Sequence, residues 1–140
     1  MDYKSLAAEL LDIRMEWAQV PLNRRLSRLS RGELFVLNYL DTHGGFSYPK
    51  ELSMEMQVST ARVAALLKHM EMKEWIGRSA SAQDNRQVVV ELLEKGRAEI
   101  EQKREEALQD TAGLLEFLGE EDAVAFLRIQ RKIIKEYLPD

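Results

Sequence analysis

The chain has 140 residues, a net charge of −4 and no cysteine. The absence of cysteine excludes disulfides, thiolate metal sites and cysteine-based redox sensing. No apolar run approaches the roughly 18 residues of a membrane span, and the acidic N-terminus lacks the basic region of a signal peptide. We therefore expect a soluble, cytoplasmic protein with one domain, or with one domain and helical extensions.

The charge is unevenly distributed along the chain. Residues 20–46 have a net charge of +2 and residues 47–97 of +1, whereas residues 1–19 have −2 and residues 98–140 have −5. Such differences in net charge between segments are usual for solvated helix faces. The basic middle indicates an anionic partner only if it also contains a binding motif.

The N-terminal third predicts two helices. Leu6, Leu10, Ile13 and Trp17 recur at helical spacing, and this helix should stop near Pro21. For the second helix, Ser30 and Glu33 form an S-x-x-E capping box directly before an apolar run, and the Gly44-Gly45 pair ends it.

Two further helices follow at close spacing. Residues 47–57 read as a short helix, with Ser47 as N-cap and Pro49 in the first turn. Residues 59–75 read as a longer helix that Ser59 caps, and small residues at its start permit a close crossing. A tight link between two such helices predicts a helix-turn-helix.

A β-hairpin should come next. Residues 75–76 and 88–93 read as antiparallel strands that an exposed loop joins. A hairpin directly after a helix-turn-helix is the wing of a winged helix, and an arginine at its tip, Arg86, suits the negative potential of a DNA minor groove. Asp84 is placed to accept a hydrogen bond from Arg78 or Arg86 and so to brace the wing, although a solvated hairpin would explain the same pair.

The C-terminal segment is predicted to be helical in two parts. The first helix begins at Glu94 and ends at Gly119, and the second ends at Pro139. The second helix has a stripe at i, i+3 and i+4 spacing, formed by Ala123, Phe126, Leu127, Ile133, Ile134 and Tyr137. With the stripe of the first N-terminal helix, it offers more apolar surface than a small winged helix can cover.

The segment from Leu29 to Gly96 resembles the MarR (multiple antibiotic resistance regulator) family of bacterial transcription factors. The residues that carry the resemblance are Leu29-Ser30, Val36-Leu37, Leu40, Pro49-Lys50-Glu51-Leu52, Val58-Ser59, Val63, Leu66, Ile76, Arg78, Asp84-x-Arg86, Val90, Leu92 and Gly96. Their order and spacing together are specific, and the terminal helices extend the resemblance to the whole chain.

Three positions depart from the family pattern. Glu74 stands where the family usually has a glycine in a left-handed turn, so this turn is expected to be strained or reshaped. Leu93 replaces a common threonine, which removes an N-cap. Ala65 replaces an arginine of the recognition helix, which leaves Arg62 as the longer donor.

The resemblance implies that helix 59–73 lies in the DNA major groove. The predicted DNA-binding residues of this helix are Ser59, Thr60, Ala61, Arg62 and Lys68. Arg62 is able to donate two parallel hydrogen bonds to guanine, whereas Lys68 lies further along and is expected to meet phosphate. The predicted wing contacts are Arg78, Asp84 and Arg86.

Four arginines precede the second helix without an acidic residue among them: Arg24, Arg25, Arg28 and Arg31. They either follow a phosphate backbone or neutralise the acidic terminal helices of a partner subunit, and the sequence leaves both open. The resemblance also implies a ligand pocket for anionic aromatic compounds, for which Arg14, Trp17 and Tyr39 are candidates, although aromatic residues on helical stripes usually belong to the core.

The predicted fold is mainly α with a small β-hairpin, a winged helix-turn-helix flanked by N- and C-terminal dimerisation helices. Residues 1–28 form the dimerisation helix and basic connector, residues 29–96 the DNA-binding domain, and residues 97–140 the C-terminal dimerisation helices. The expected function is a transcriptional regulator, a repressor, that binds double-stranded DNA as a homodimer on a pseudo-palindromic operator and that a small ligand releases.

Three other classes of function are relevant to this sequence. No cofactor or metal is expected, and His43 and His69 lack a paired nucleophile, so the sequence argues against an enzyme. A zinc-responsive regulator is one alternative, although the two histidines lack metal-ligand spacing. A winged helix for protein–protein contact is another, which the overall negative charge permits.

Overall fold

The computed structural model of the chain describes residues 1–83 and 86–140 and forms two compact units, residues 1–104 and 105–140. Its elements are α1 (Tyr3–Trp17), α2 (Pro21–Ser27), a short 3-10 helix (Arg28–Ser30), α3 (Gly32–Thr42), β1 (Phe46–Ser47), α4 (Pro49–Met56), α5 (Thr60–Met72), β2 (Ile76–Ala80), β3 (Val88–Leu92), α6 (Glu94–Leu118) and α7 (Glu120–Tyr137). The predicted class, a mainly helical winged helix, is confirmed. The division of roles at residues 28 and 96 stays a prediction.

The sheet has three antiparallel strands in the order β1-β3-β2. The predicted hairpin is confirmed, with a register from Ile76 opposite Leu92 to Ala80 opposite Val88. Strand β1 was not predicted. It contributes two residues, Phe46 opposite Glu91 and Ser47 opposite Val90, which is too short for an alternating pattern.

The prediction that Ser47 caps the helix at residues 47–57 was wrong. Ser47 lies in β1 and is 2% exposed, and the residue before α4 is Tyr48. Because the backbone of Ser47 pairs with β3, its hydroxyl points to α4 and donates a hydrogen bond of 2.8 Å to Oε2 of Glu51.

The predicted Ser30–Glu33 capping box was also wrong. Ser30 closes the 3-10 helix and its hydroxyl donates to the carbonyl of Ser27 at 2.8 Å. Gly32 has a left-handed φ of 63°, so the chain turns between Ser30 and α3, and Arg31 occupies the cap position without a side-chain hydrogen bond. Glu33 is therefore available for other partners.

The core of the first unit is built around α3. Val36, Leu37 and Leu40 of this helix are fully buried. Around them pack side chains from five other elements, namely Leu52, Val63, Leu67, Met70, Ile76, Val90, Leu92 and Ile100. Burial of apolar area at this helix is thus what holds the helix-turn-helix and the sheet together.

The turn from α5 into β2 is packed closely against the start of α6. Glu74 has φ 61°, which confirms the left-handed turn expected at this non-glycine residue. The carbonyl of the next residue, Trp75, accepts a hydrogen bond from the backbone N–H of Leu93 at 2.9 Å. Gly96 of α6 packs directly against the same carbonyl, since an added Cβ would lie 2.2 Å from the Trp75 oxygen.

We expect Gly96→Ala to lower the free energy of unfolding by about 1–3 kcal/mol or more, because the new methyl overlaps a backbone carbonyl that cannot move without breaking the turn. The measurement is denaturant unfolding at a fixed protein concentration. The matched control is Gly113→Ala, where no atom lies within 4 Å of the added Cβ, and which should gain about 0.5–1 kcal/mol as a helix-interior glycine. Equal effects at both glycines would contradict the close approach.

Tyr39 and Glu51 connect α3 to α4. The Tyr39 hydroxyl donates to Oε1 of Glu51 at 2.6 Å, beside the bond from Ser47. The hydrogen bond to Glu51 raises the pKa of Tyr39 to about 12, from its usual 10.0. The same bond, with that from Ser47, holds the pKa of Glu51 below its usual value.

This pair predicts an alkaline loss of stability. The pKa of Tyr39 is raised in the folded state, so its contribution is complete below pH 10.0 and is lost as the pH rises toward about 12. Tyr39→Phe should flatten this part of the curve of unfolding free energy against pH, and should cost about 1–3 kcal/mol at neutral pH, since Glu51 loses a donor. Tyr3→Phe, at a residue 75% exposed, is the control and should keep the wild-type curve. An unchanged alkaline slope in Tyr39→Phe would contradict the assignment.

The terminal helices expose their apolar stripes. No residue of α1 or α7 is buried. Leu10 is 55% exposed in α1 and Ile133 is 49% exposed in α7. Exposed apolar area of this extent on two helices is typical of surfaces that a partner covers. Within residues 1–83 and 86–140, no helix has the length and apolar character that a membrane crossing needs.

Candidate nucleic-acid interface

The link between α4 and α5 is a three-residue turn fixed by local hydrogen bonds. Gln57 takes a left-handed conformation with φ 55°, and the Ser53 hydroxyl donates to the carbonyl of Val58 at 2.6 Å. Ser59 then caps α5, since its hydroxyl accepts from the backbone N–H of Arg62 at 3.1 Å. The predicted helix-turn-helix and the Ser59 cap are confirmed.

Helix α5 has one buried face and one open face. Val63, Leu67 and Met70 are fully buried. The predicted DNA-binding positions all lie on the open part of the helix and are exposed: Ser59, Thr60, Ala61, Arg62 and Lys68. Because Ala61, Ala64 and Ala65 add no bulk, this face can approach another surface closely.

A carboxylate of α3 ties down the C-terminal half of α5. Glu33 accepts hydrogen bonds from Nδ1 of His69 and, at 2.9 Å, from Nζ of Lys73. Burial raises the pKa of Glu33, but the bonds from His69 and Lys73 outweigh it, so the pKa lies below its usual value. Nζ of Lys73 also lies 4.2 Å from the ring centre of Trp75, a cation–π contact.

Backbone and side-chain contacts close the wing at the start of its loop, just beyond the pair of Ala80 and Val88. Ser81 is 2% exposed and its N–H donates to the carbonyl of Gln87 at 2.9 Å. Tyr48, just before α4, donates to Oε1 of Gln83 at 3.4 Å. Arg86 is exposed. Asp84 lies outside the described residues, so its role as a brace stays a prediction.

Arg78, the second predicted wing cation, lies in the middle of β2. Its Nε donates to Oε2 of Glu71, in the last turn of α5, at 2.5 Å. The two side chains line a cleft of about 370 Å³ with Lys68 and Met72. Within the described residues, Arg78 is thus held by a carboxylate of the recognition helix.

The four arginines between α1 and α3 have different surroundings. Arg24 folds back on the end of α1, where its Nη2 donates to Oε1 of Gln19 at 2.8 Å. Arg25 and Arg28 lie on α2 and the 3-10 helix and are exposed. Arg31 lines a cleft of about 200 Å³ with Arg62, which brings it to the start of the recognition helix.

The proposed ligand-pocket residues also differ. Arg14 and Trp17 lie one turn apart on α1 and are exposed. Tyr39 is buried, its ring stacks on His43 at 3.9 Å between centres, and its hydroxyl is bonded to Glu51. Tyr39 thus has a role within the fold, and its place in a ligand pocket stays a prediction. Among the described residues, no group of three His, Cys, Asp or Glu side chains is placed to hold a metal ion.

Glu33 and Glu71 were not identified from the sequence as parts of this interface. Each pairs with residues distant along the chain or across a turn, so periodicity gives no sign of the pairing. The only available signal was that both are acidic residues next to a predicted basic surface.

Comparisons with known proteins agree with this geometry. Residues 29–88 match the model of the MarR family. A helix-turn-helix-type transcriptional regulator of Bacillus subtilis (strain 168), YwhA, described as uncharacterised, is 29% identical over 95% of this chain and 99% of its own length.

Solved structures show the same fold. A MarR family protein from Bacillus stearothermophilus is 26% identical, has a TM-score of 0.78 and is matched over 99% of both chains. The organohalide-sensing regulator RdhR in its 2,4-dichlorophenol-bound form is similar in fold, at 19% identity and a TM-score of 0.68, over 99% of this chain and 86% of that one.

The family match covers the segment that contains the helix-turn-helix and most of the wing, and the relatives are matched over nearly their whole length. The chain is thus similar to the MarR family of winged helix-turn-helix transcriptional regulators.

Proposed function

We propose that the protein is a sequence-specific regulator that binds a pseudo-palindromic operator as a homodimer and represses transcription from it. The observation that carries the proposal is the open face of α5. This helix is held from behind by three fully buried residues and exposes Thr60, Arg62 and Lys68.

In this proposal the N-terminal turn of α5 reads base edges in the major groove. Arg62 donates to guanine, the commonest specific contact, and Thr60 bonds phosphate or meets a thymine methyl. Arg31, which shares a cleft with Arg62, contacts the phosphate backbone beside it. Arg86 enters the minor groove, whose negative potential attracts arginine.

The homodimer rests on the exposed stripes of α1 and α7. A second copy of the chain offers the same apolar faces, as a two-fold interface requires. Two recognition helices in such a dimer would read half-sites about 10 bp apart, one helical turn of DNA.

Release by a ligand is the remaining part of the proposal. The relative RdhR is an organohalide sensor whose structure contains 2,4-dichlorophenol, and Arg14 and Trp17 are exposed on α1 of this chain. We propose that a small aromatic or anionic compound binds near these residues and lowers the affinity for DNA.

The first test of this function is selection of bound DNA from a random library by the purified protein, at two salt concentrations. Wild type should select two related half-sites. Arg62→Ala should relax the preference at one position of each half-site by about 1–3 kcal/mol. Lys68→Ala should weaken binding to all DNA sequences alike. It should also lower the salt slope, the slope of log affinity against log salt concentration, by about one unit, as expected for a phosphate contact.

Arg128→Ala, an exposed arginine of α7, is the control for loss of one positive charge and should keep the wild-type preference. Uniform weakening by Arg62→Ala would show that this residue touches only phosphate. Failure of wild type to select any sequence would reject DNA recognition and favour a protein partner for the winged helix.

The second test concerns dimerisation. Sedimentation at micromolar concentration should give about twice the chain mass of 16.2 kDa. Ile133→Glu places a charge in the proposed interface, so it should shift the protein toward monomer and weaken operator binding. Met54→Glu is the matched control, since Met54 is 70% exposed on α4, outside both stripes, and it should remain dimeric. A wild-type monomer would reject the proposed interface.

A further inference from the structure

Glu71 is an acidic residue in an unexpected place. It lies in the last turn of α5 and is exposed, on the helix proposed to enter the major groove. A carboxylate near phosphates raises the free energy of the complex by repulsion, and nearby Lys68 is the kind of residue that such a surface favours. Simple electrostatics would therefore select against Glu71, and its presence requires another reason.

The contact with Arg78 supplies that reason. Oε2 of Glu71 accepts from Nε of Arg78 at 2.5 Å, and the two side chains are 44% and 35% exposed. Nε lies on one edge of the guanidinium, so this contact does not engage the two terminal nitrogens. Arginine side chains lose much rotamer freedom when they bind, and a pre-oriented guanidinium loses less.

Arg78 is also fixed from its backbone side. It lies in the middle of β2, opposite Val90 of the central strand. The strand sets the position of its Cα and Glu71 sets the direction of its head, in the cleft shared with Lys68. Two cations then border one groove at the C-terminal end of the recognition helix.

We propose that Glu71 is a positioning residue for DNA binding, which holds Arg78 so that its terminal nitrogens, together with Lys68, contact a phosphate at the edge of the major groove. This inference rests on the proposed function and adds to it a role for an acid. A negatively charged residue increases the affinity for a polyanion because it orders a cation.

The test compares the DNA affinity of wild type, Glu71→Ala, Glu71→Gln, Arg78→Ala and the double variant Glu71→Ala/Arg78→Ala. Glu71→Ala should weaken binding about three- to fivefold, the range of a well-formed surface ion pair, although it removes a negative charge. Glu71→Gln should lie nearer to wild type, because its amide oxygen still accepts from Nε.

The sign of the effect should depend on Arg78. In the Arg78→Ala background nothing remains to be positioned, so Glu71→Ala should leave binding unchanged or tighten it. Arg78→Ala and Glu71→Ala should both lower the salt slope, by about one unit for Arg78→Ala. A purely structural ion pair would change the unfolding midpoint without moving that slope.

The control for loss of an acidic charge is Glu101→Gln, at an exposed position of α6. It should tighten binding slightly or not at all. Unfolding midpoints of all variants establish that they are folded under the binding conditions.

Two results would overturn the inference alone: tighter binding by both Glu71 variants when Arg78 is present, or the same effect of Glu71→Ala in both backgrounds. The first would mean that Glu71 competes with DNA for Arg78, and the second that it acts only through its charge. Failure of wild type to bind DNA would instead overturn the proposed function, and this inference with it.

Discussion

The carbonyl of Trp75 is the point on which the DNA-binding unit depends. It follows the end of the recognition helix, precedes the first wing strand and accepts a hydrogen bond from the backbone N–H of Leu93, the residue before α6. Glu74 adopts an unfavourable left-handed conformation to present it, and Gly96 is the residue without a side chain that lets α6 approach it. Helix, wing and long helix therefore share one joint, whose geometry tolerates few substitutions.

Ion pairs also connect α3 to the recognition helix and to α6. Asp41, near the end of α3, is bonded to both Arg97 and Arg104 of α6, at 2.9 Å for Arg97. Glu33, at the other end of α3, is bonded to the recognition helix through His69 and Lys73. Because each carboxylate has two basic partners, displacement of either helix would leave a partly buried charge without its full set of bonds. Helix α3 thus fixes the recognition helix relative to the start of α6.

Local signals in the sequence were sufficient for much of the fold. The Ser59 cap and the break at Gly119 each depend on residues within a few positions, and the hairpin joins two strands that follow one another in the chain. Each was predicted. The Ser30–Glu33 box failed although its spacing was right, because Gly32 turns the chain between the two residues. Strand β1 could not be predicted, since two residues have no period. Glu71 and Arg78 lie on either side of the turn at Trp75, so only the folded geometry brings them together. The exposed face of α5 was therefore predictable, whereas the contacts of Glu33 and Glu71 that hold this region in place were not.

The charge of the chain is distributed differently over the recognition surface and the C-terminal segment. The overall charge of −4 argues against a polyanionic partner only if the protein acts as one charge. At physiological ionic strength fields decay within about 8 Å, so a recognition surface is governed by the groups on it. On the described part of that surface, Arg62, Lys68 and Arg78 are exposed, and Glu71 is bonded to Arg78. Most of the acidic excess lies in residues 98–140, which carry the apolar stripe of α7. An acidic excess there favours solubility for a helix that exposes so much apolar surface.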